Sequence, residues 1–308
     1  RLIPVLRKDG KEIWFAMTSN YFTLLMIRAA QGVVIPAILT SLMSYISYTV
    51  PTKLVQQSIA FYIASTIVGG FLGRLLSGLF TDLFGWRFFF FMLGLLFFIC
   101  YLLLGCLQSQ IKMEYVKPGM KELFALFRQK RFFWLYLCIF SVFFTFSAMM
   151  NFLPFELARL FPSYGGAGIG FLYIGYSMGI LVSVSNRRIR SWFTHETNAV
   201  FTGLLIFSMG TVVFLAKAYW IMFFGMFIFC SGMFMAHSLL SGYLNTFTAD
   251  NKAVANGLYM SSYYTGGTLG SFLPAYVLQG GGWNAFICLL LLVLFVAQFC
   301  VWRLRMSL

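Results

Sequence analysis

Ionisable side chains are scarce in this sequence, so those that interrupt its apolar runs are the first candidates for chemistry. Arg28 lies about two turns into the run 21–46, Arg74 sits among glycines in "GGFLGRLLSGLFTDLFGWR" (69–87), and His237 falls in "GMFMAHS" (232–238). A guanidinium in an apolar span costs about 2.5–3.5 kcal/mol on insertion scales unless it meets water or a partner. Arg28 is therefore either a binding and coupling cation or an arginine whose head snorkels to the interface, and the first reading is preferred. Arg74 cannot point into the seam that Gly69, Gly70, Gly73 and Gly78 would form with a neighbouring helix. It faces a cavity or an outer vestibule, as a gating cation or as an anion contact. His237 is the one group in an apolar run that titrates near neutral pH. It is either a satisfied buried imidazole or, because Ser238, Ser241 and Gly242 make the stretch polar, a cavity or proton-handling residue.

Tyr62, Tyr173, Tyr176, Tyr259, Tyr263 and Tyr264, with Phe146, Met149 and Asn151, have the residue types of an adaptable pocket for amphipathic solutes. Tyrosines also anchor helices at bilayer interfaces. Tyr263 and Asn151 are preferred because each lies in mid-helix near a helix-breaking Gly or Pro. All eight acids (Asp9, Glu12, Asp82, Glu114, Glu122, Glu156, Glu196, Asp250) lie in connectors or at helix ends. Glu156 is the best placed of them to titrate, but a rim ion pair with Arg159 is the favoured reading. Catalysis has no visible apparatus: HExxH, Walker and GxSxG patterns are absent, and only two histidines exist. The six cysteines stand singly, without CxxC pairs, and read as small packing residues. No enzyme, metal or cofactor is expected.

The elements that must position these residues follow from composition. Of 308 residues, 60% are hydrophobic and 10% charged, against about 25% charged in soluble domains. Apolar runs of bilayer-crossing length recur at 21–46, 57–80, 88–107, 132–155, 166–185, 197–216, 219–243, 255–278 and 284–302. Their continuity excludes a β-barrel, whose strands alternate over ~10 residues. The expected fold class is an all-α, multi-pass membrane protein. Net charge is +14, but thirteen Lys and Arg in alternate connectors and the C-terminus stand against three in the others (Arg87, Arg159, Lys217). That is positive-inside asymmetry, which places the 107–131 connector and the C-terminus in the cytoplasm. The basic charge is thus a topology signal and not a sign of nucleic acid; the expected partner is the lipid bilayer.

Shifting the chain by 197 positions aligns 60–89 with 257–286 without a gap, with nine identities in thirty. Gly69, Gly70 and Gly73 fall on Gly266, Gly267 and Gly270; Gly85 and Trp86 fall on Gly282 and Trp283; Ser271 replaces Arg74. Five helices intervene, so the repeat unit is six helices, and an even number keeps both copies in one orientation. Two parallel six-helix repeats are the major facilitator arrangement, with the solute site between the halves. The polar stretch 107–131 becomes a central linker with a short amphipathic helix at 120–129. The expected organisation is an N-terminal bundle at 21–106 (helices four to six), the linker at 107–131, and a C-terminal bundle at 132–308 (helices seven to twelve). Residues 1–20, eight of which rise only ~12 Å as helix, are expected to be an incomplete or stitched segment, most of the first three helices being absent.

The motifs resemble the major facilitator superfamily, and within it the drug:proton antiporter branch and the bacterial inner-membrane efflux subgroup of the YnfM type. "IRAAQGVVIPA" (27–37) is similar to that family's fourth-helix R-x-x-Q-G signature, which implies substrate or proton coupling for Arg28 and Gln31. "IAFYIASTIVGGFLGRLLSGLFTDLFGWRFFF" resembles the antiporter glycine motif of the fifth helix and the W-R opening of the sixth, with Arg74 in its proline position. "NFLPFELARLFPSYGGAGIGFLYIGYSMG" (151–179) is similar to the seventh and eighth helices. The resemblance implies a monomeric, proton-coupled exporter of a small organic solute or drug, working by alternating access in the bacterial inner membrane. Sugar or metabolite uptake by the same fold, or a non-transporting receptor or scaffold, are the alternatives. The substrate-handling residues expected are Arg28, Gln31, Tyr62, Arg74, Asn151, Tyr176, His237, Tyr263 and Tyr264.

Overall fold

A computed structural model describes residue 17 and residues 20–105, 128–246 and 252–306 of the chain. Residues 1–16, 18–19, 106–127, 247–251 and 307–308 lie outside it, and with them most of the expected linker and of the segment 1–20. The described residues hold no strand. Lipid offers no hydrogen-bond partner to the backbone, so each apolar run must satisfy its own amides and carbonyls as helix.

Two compact units divide the chain. The first contains the described residues up to 105 together with Gly165–Phe171. Its helices are α1 (Tyr21–Thr49), α2 (Thr52–Phe84) and α3 (Trp86–Gly105). Asn20 caps α1, its side-chain oxygen accepting from the amides of Phe22 (2.9 Å) and Thr23 (3.3 Å). Pro51 pushes Val50 into an extended conformation and so ends that helix. α2 stops at Gly85, whose φ of 83° only glycine adopts without strain.

The second unit runs from 128 to Tyr164 and from Leu172 onward. It holds α4 (Lys130–Leu160), α6 (Met178–Val184), α7 (Asn186–Ser191), α8 (Glu196–Val213), α9 (Tyr219–Thr246), α10 (Lys252–Gly270) and α11 (Pro274–Met306). The short α5 (Gly165–Leu172) precedes a 3-10 turn at Tyr173–Ser177, so the span expected as one helix over 166–185 is broken into three pieces. Pro154 explains part of the packing here. It lacks an amide, which frees the Met150 carbonyl one turn earlier in α4. The Tyr173 hydroxyl donates to that carbonyl at 3.0 Å.

Small residues set the helix spacing. A methyl added at Gly210 would meet the Phe229 backbone, and one at Gly232 the Phe207 backbone, so α8 and α9 approach closely. Methyls at Gly266 and Gly270 would overlap the carbonyl oxygens of Phe140 and Phe144, which fixes α10 against α4. The core of this unit is fully buried Leu135, Ile139, Leu153, Phe207, Phe229 and Phe286. Trp283 donates to the Phe214 carbonyl at 2.7 Å and Gln298 to the Ser208 hydroxyl at 3.0 Å, joining α11 to the α8 region.

Counting 162–184 as one segment and setting aside the six-residue α7, nine helical segments occur among the described residues, where the apolar runs predict nine. The ends of the last two differ. α10 stops at Gly270 rather than running to 278, and α11 begins at Pro274 and bends at Gly282 (φ 71°). Proline opens a helix well because its missing amide is unsatisfied there in any case.

Candidate solute-handling site

A ladder of aromatic rings crosses the second unit. Tyr176 packs on Phe146 (centroids 5.7 Å apart), Phe146 stacks on Phe143 (5.9 Å), and Phe143 stacks on Tyr263 (3.5 Å). Tyr263 meets both Tyr264 (5.2 Å) and the His237 imidazole (5.0 Å), and His237 stacks on Tyr259 (5.8 Å). α4, the 3-10 turn, α9 and α10 each supply a rung. Four of the expected substrate residues, Tyr176, His237, Tyr263 and Tyr264, therefore share one surface. The imidazole Nδ1 and the Tyr259 hydroxyl lie 2.9 Å apart, and the same hydroxyl lies 3.1 Å from the His237 carbonyl oxygen.

Asn151 occupies a second, polar cluster on the same pair of helices. Its amide nitrogen donates to the Ser147 carbonyl (2.8 Å), to the Ser147 hydroxyl (3.3 Å) and to the Ser271 hydroxyl (3.2 Å), and the two hydroxyls are 2.8 Å apart. Asn151 is eight residues beyond Phe143 on α4, and Ser271 is eight beyond Tyr263, so the clusters are separated by ~12 Å along the seam. Asn151 is exposed although it lies in a spanning helix. Polar groups inside a membrane face a bundle interior or a water-filled space, not acyl chains.

Ser147, Phe143 and Ser271 were not singled out as solute contacts by the sequence. Ser147 carried a legible signal, its position one turn before Asn151. Ser271 is the repeat partner of Arg74, and the helix is interrupted there: α10 ends at Gly270, whereas α2 runs uninterrupted through Arg74.

In the first unit, Arg28 and Gln31 come together. Arg28 Nη1 donates to Gln31 Oε1 at 3.0 Å, and the guanidinium lies 4.8 Å from the centre of the Phe90 ring of α3. Gln31 is buried and Arg28 exposed. Arg74 donates to the Gly70 carbonyl at 3.1 Å, and Tyr62 lies half-buried on α2. The glycine seam differs from expectation. A methyl at Gly69 or Gly73 would meet no atom of the described residues within 4 Å, while one at Gly78 would meet Gly166 and Gly170 of α5. Close approach along this face is therefore made near Gly78. The reason is visible one turn on, where the Asp82 carboxylate accepts from the amides of Gly166 (2.9 Å) and Ala167 (2.6 Å) and caps α5.

Glu156 is claimed by Arg159, which donates through Nε (2.8 Å) and Nη2 (2.6 Å) to its two oxygens. At the other end of this unit Arg190 pairs with Glu196. No group of His, Cys, Asp and Glu suited to a metal ion occurs among the described residues. Cys100, Cys138, Cys230, Cys288 and Cys300 are free thiols.

Long apolar helices with polar groups confined to small clusters define a multi-pass α-helical membrane protein. Residues 13–236 match the profile of the Major Facilitator Superfamily, and the chain belongs to that family of transporters, which are not enzymes. It is 26% identical over 296 residues to an uncharacterized transporter of Buchnera aphidicola subsp. Schizaphis graminum, covering 90% of this chain and 69% of that one. It is 27% identical over 300 residues to the inner membrane transport protein YnfM of Escherichia coli, covering 90% and 68%. The chain spans 63% to 71% of the length of the curated relatives it matches. A bacterial homologue of the human lysosomal transporter Spinster, solved in an inward-facing and occupied conformation, superimposes with a TM-score of 0.75 at 14% identity, covering 99% of this chain and 81% of that one. At that identity the likeness concerns the fold.

Proposed function

We propose that the protein is a secondary-active exporter of the bacterial inner membrane, moving a small organic solute by alternating access in exchange for protons. The observation that carries this reading is the aromatic ladder of Tyr176, Phe146, Phe143, Tyr263 and His237, continued along α4 and α10 by the Asn151, Ser147 and Ser271 cluster. Flat rings give a solute apolar contact without strict shape demands, and a few fixed polar groups orient it. Within the first unit, Arg28 and Gln31 supply a charge and an amide suited to coupling. The similarity to YnfM, an inner membrane transport protein, supports the membrane assigned.

The test uses the full-length protein in proteoliposomes with an imposed pH gradient and a fluorescent amphipathic dye. Dye movement that follows the gradient and is lost in Tyr263→Ala supports export by proton exchange. Movement down the dye's own gradient, indifferent to pH, would replace exchange by facilitated transport. Cysteines placed at Asn151 and Tyr263 should be labelled from both sides of the membrane in turn; labelling from one side only under all conditions would remove alternating access.

A further inference from the structure

Two hydrogen-bonding arrangements in the second unit have only one consistent placement of protons. The Tyr259 hydroxyl carries a single proton and lies within reach of two atoms of His237: the carbonyl oxygen at 3.1 Å and Nδ1 at 2.9 Å. A carbonyl oxygen only accepts. For both contacts to be hydrogen bonds, the hydroxyl donates to the carbonyl and its own lone pair accepts a proton from Nδ1. A neutral imidazole bears one N–H, so Nε2 is then an unprotonated acceptor, and it has no hydrogen-bond partner among the described residues. Tyr259 is 1% exposed and fixed in the core between α9 and α10, so the arrangement does not depend on a mobile side chain.

Asn151 obeys the same logic. The atom 2.8 Å from the Ser147 carbonyl must be the amide nitrogen, since two carbonyl-type oxygens cannot bond each other. Its amide protons are directed at Ser147 and Ser271, and the side-chain oxygen Oδ1 is turned away from them as a second acceptor. The His237 imidazole lies against the rings of Tyr259 and Tyr263, and none of the residues named in either cluster is a carboxylate.

We propose that Tyr259 holds His237 as the Nδ1–H tautomer, so that Nε2 and Asn151 Oδ1 together select solutes carrying N–H or O–H donors on an apolar body. Tyr259 is a positioning residue, acting through His237. The donor-selection part rests on the transport reading above; the tautomer does not.

The chain has two histidines, His195 and His237. Nitrogen-15 NMR of histidine-labelled protein in lipid, carrying His195→Asn, then reports His237 alone. The expected spectrum has a protonated Nδ1 and an unprotonated Nε2, and Tyr259→Phe, which keeps the ring but not the hydroxyl, moves proton population to Nε2. A protonated Nε2 in the parent protein, or an unchanged spectrum in Tyr259→Phe, would overturn the tautomer. Addition of 4-butylphenol should shift the Nε2 resonance, and the O-methyl ether 4-butylanisole should not; equal shifts, or none with either, would overturn donor selection. Failure of gradient-driven dye transport with the tautomer intact would reject the transport reading alone.

Discussion

Gly85 and Gly282 stand at equivalent positions of the two sequence repeats and adopt the same backbone conformation, with φ of 83° and 71°. Each is followed by a tryptophan that opens the next helical stretch, Trp86 and Trp283. Their ψ values of 155° and −170° place both in a region that is essentially glycine-only. No atom of the described residues lies within 4 Å of a methyl built at either position, so a substitution there meets backbone strain rather than a clash with them. Gly85→Ala and Gly282→Ala should each cost about 1–3 kcal/mol, read as a lower midpoint in thermal unfolding of purified protein. Stability unchanged from the parent protein in either variant would mean that the repeat shares sequence but not this turn.

The motif glycines should separate into two groups. Gly69→Ala and Gly73→Ala replace helical glycines where a methyl meets no described atom, and should raise stability by about 0.5–1 kcal/mol from the helix preference of alanine. Gly266→Ala and Gly270→Ala drive a methyl onto Phe140 and Phe144 carbonyl oxygens, and should lower it by about 1–3 kcal/mol as overpacking. The same thermal assay on four variants checks the ranking.

Asp82 caps a helix that begins 83 residues later in the chain. Removing the cap in Asp82→Ala should cost about 0.5–2 kcal/mol, whereas Asp82→Asn retains one acceptor and should cost less. Amide hydrogen exchange at Gly166 and Ala167 supplies a local readout. Faster exchange at these two amides in Asp82→Ala, with α4 unchanged, is the expected result.

Glu156 has both oxygens engaged by Arg159. Glu156→Gln should leave gradient-driven transport in place, because the amide keeps an acceptor for the exposed Arg159 guanidinium. Abolished proton coupling with the fold intact would instead make Glu156 the titrating carrier.

Arg28 is held by a hydrogen bond to Gln31 and by the Phe90 ring. Lysine keeps the charge but cannot stack flat on a ring and donate sideways at once. Arg28→Lys should therefore reduce transport while costing only about 0.5–1 kcal/mol of stability. Transport at the parental rate would assign Arg28 to anchoring alone.

The aromatic ladder shows how far the sequence reached toward the site. Tyr176, His237, Tyr263 and Tyr264 were each legible as polar or amphipathic side chains in apolar runs, and their contacts with one another depend on four separate elements. Phe143 joins Tyr263 to the rest, yet as a phenylalanine among many it carried no distinguishing mark. Asn151 and Ser147 share a face through helical spacing, but Ser271 joins them from 120 residues away. Equally, nothing in the run 166–185 announced the 3-10 turn at Tyr173–Ser177, because the Pro154 that releases the Met150 carbonyl for Tyr173 sits in another helix.

What the sequence determined by itself is the membrane class, the helical segments and the repeat. Lipid forces every apolar run to close its own backbone hydrogen bonds, so length and composition alone specify a helix, and glycine alone tolerates the turn at 85 and 282. What the tertiary structure decided is which faces meet. Lipid is as apolar as the side chains, so no hydrophobic pattern marks the inward side of a spanning helix. Gly69 and Gly266 hold equivalent positions of the sequence repeat, yet a methyl at Gly266 would overlap the Phe140 carbonyl while one at Gly69 meets no atom of the described residues. That difference lies in the neighbouring helix, which no local stretch of sequence contains.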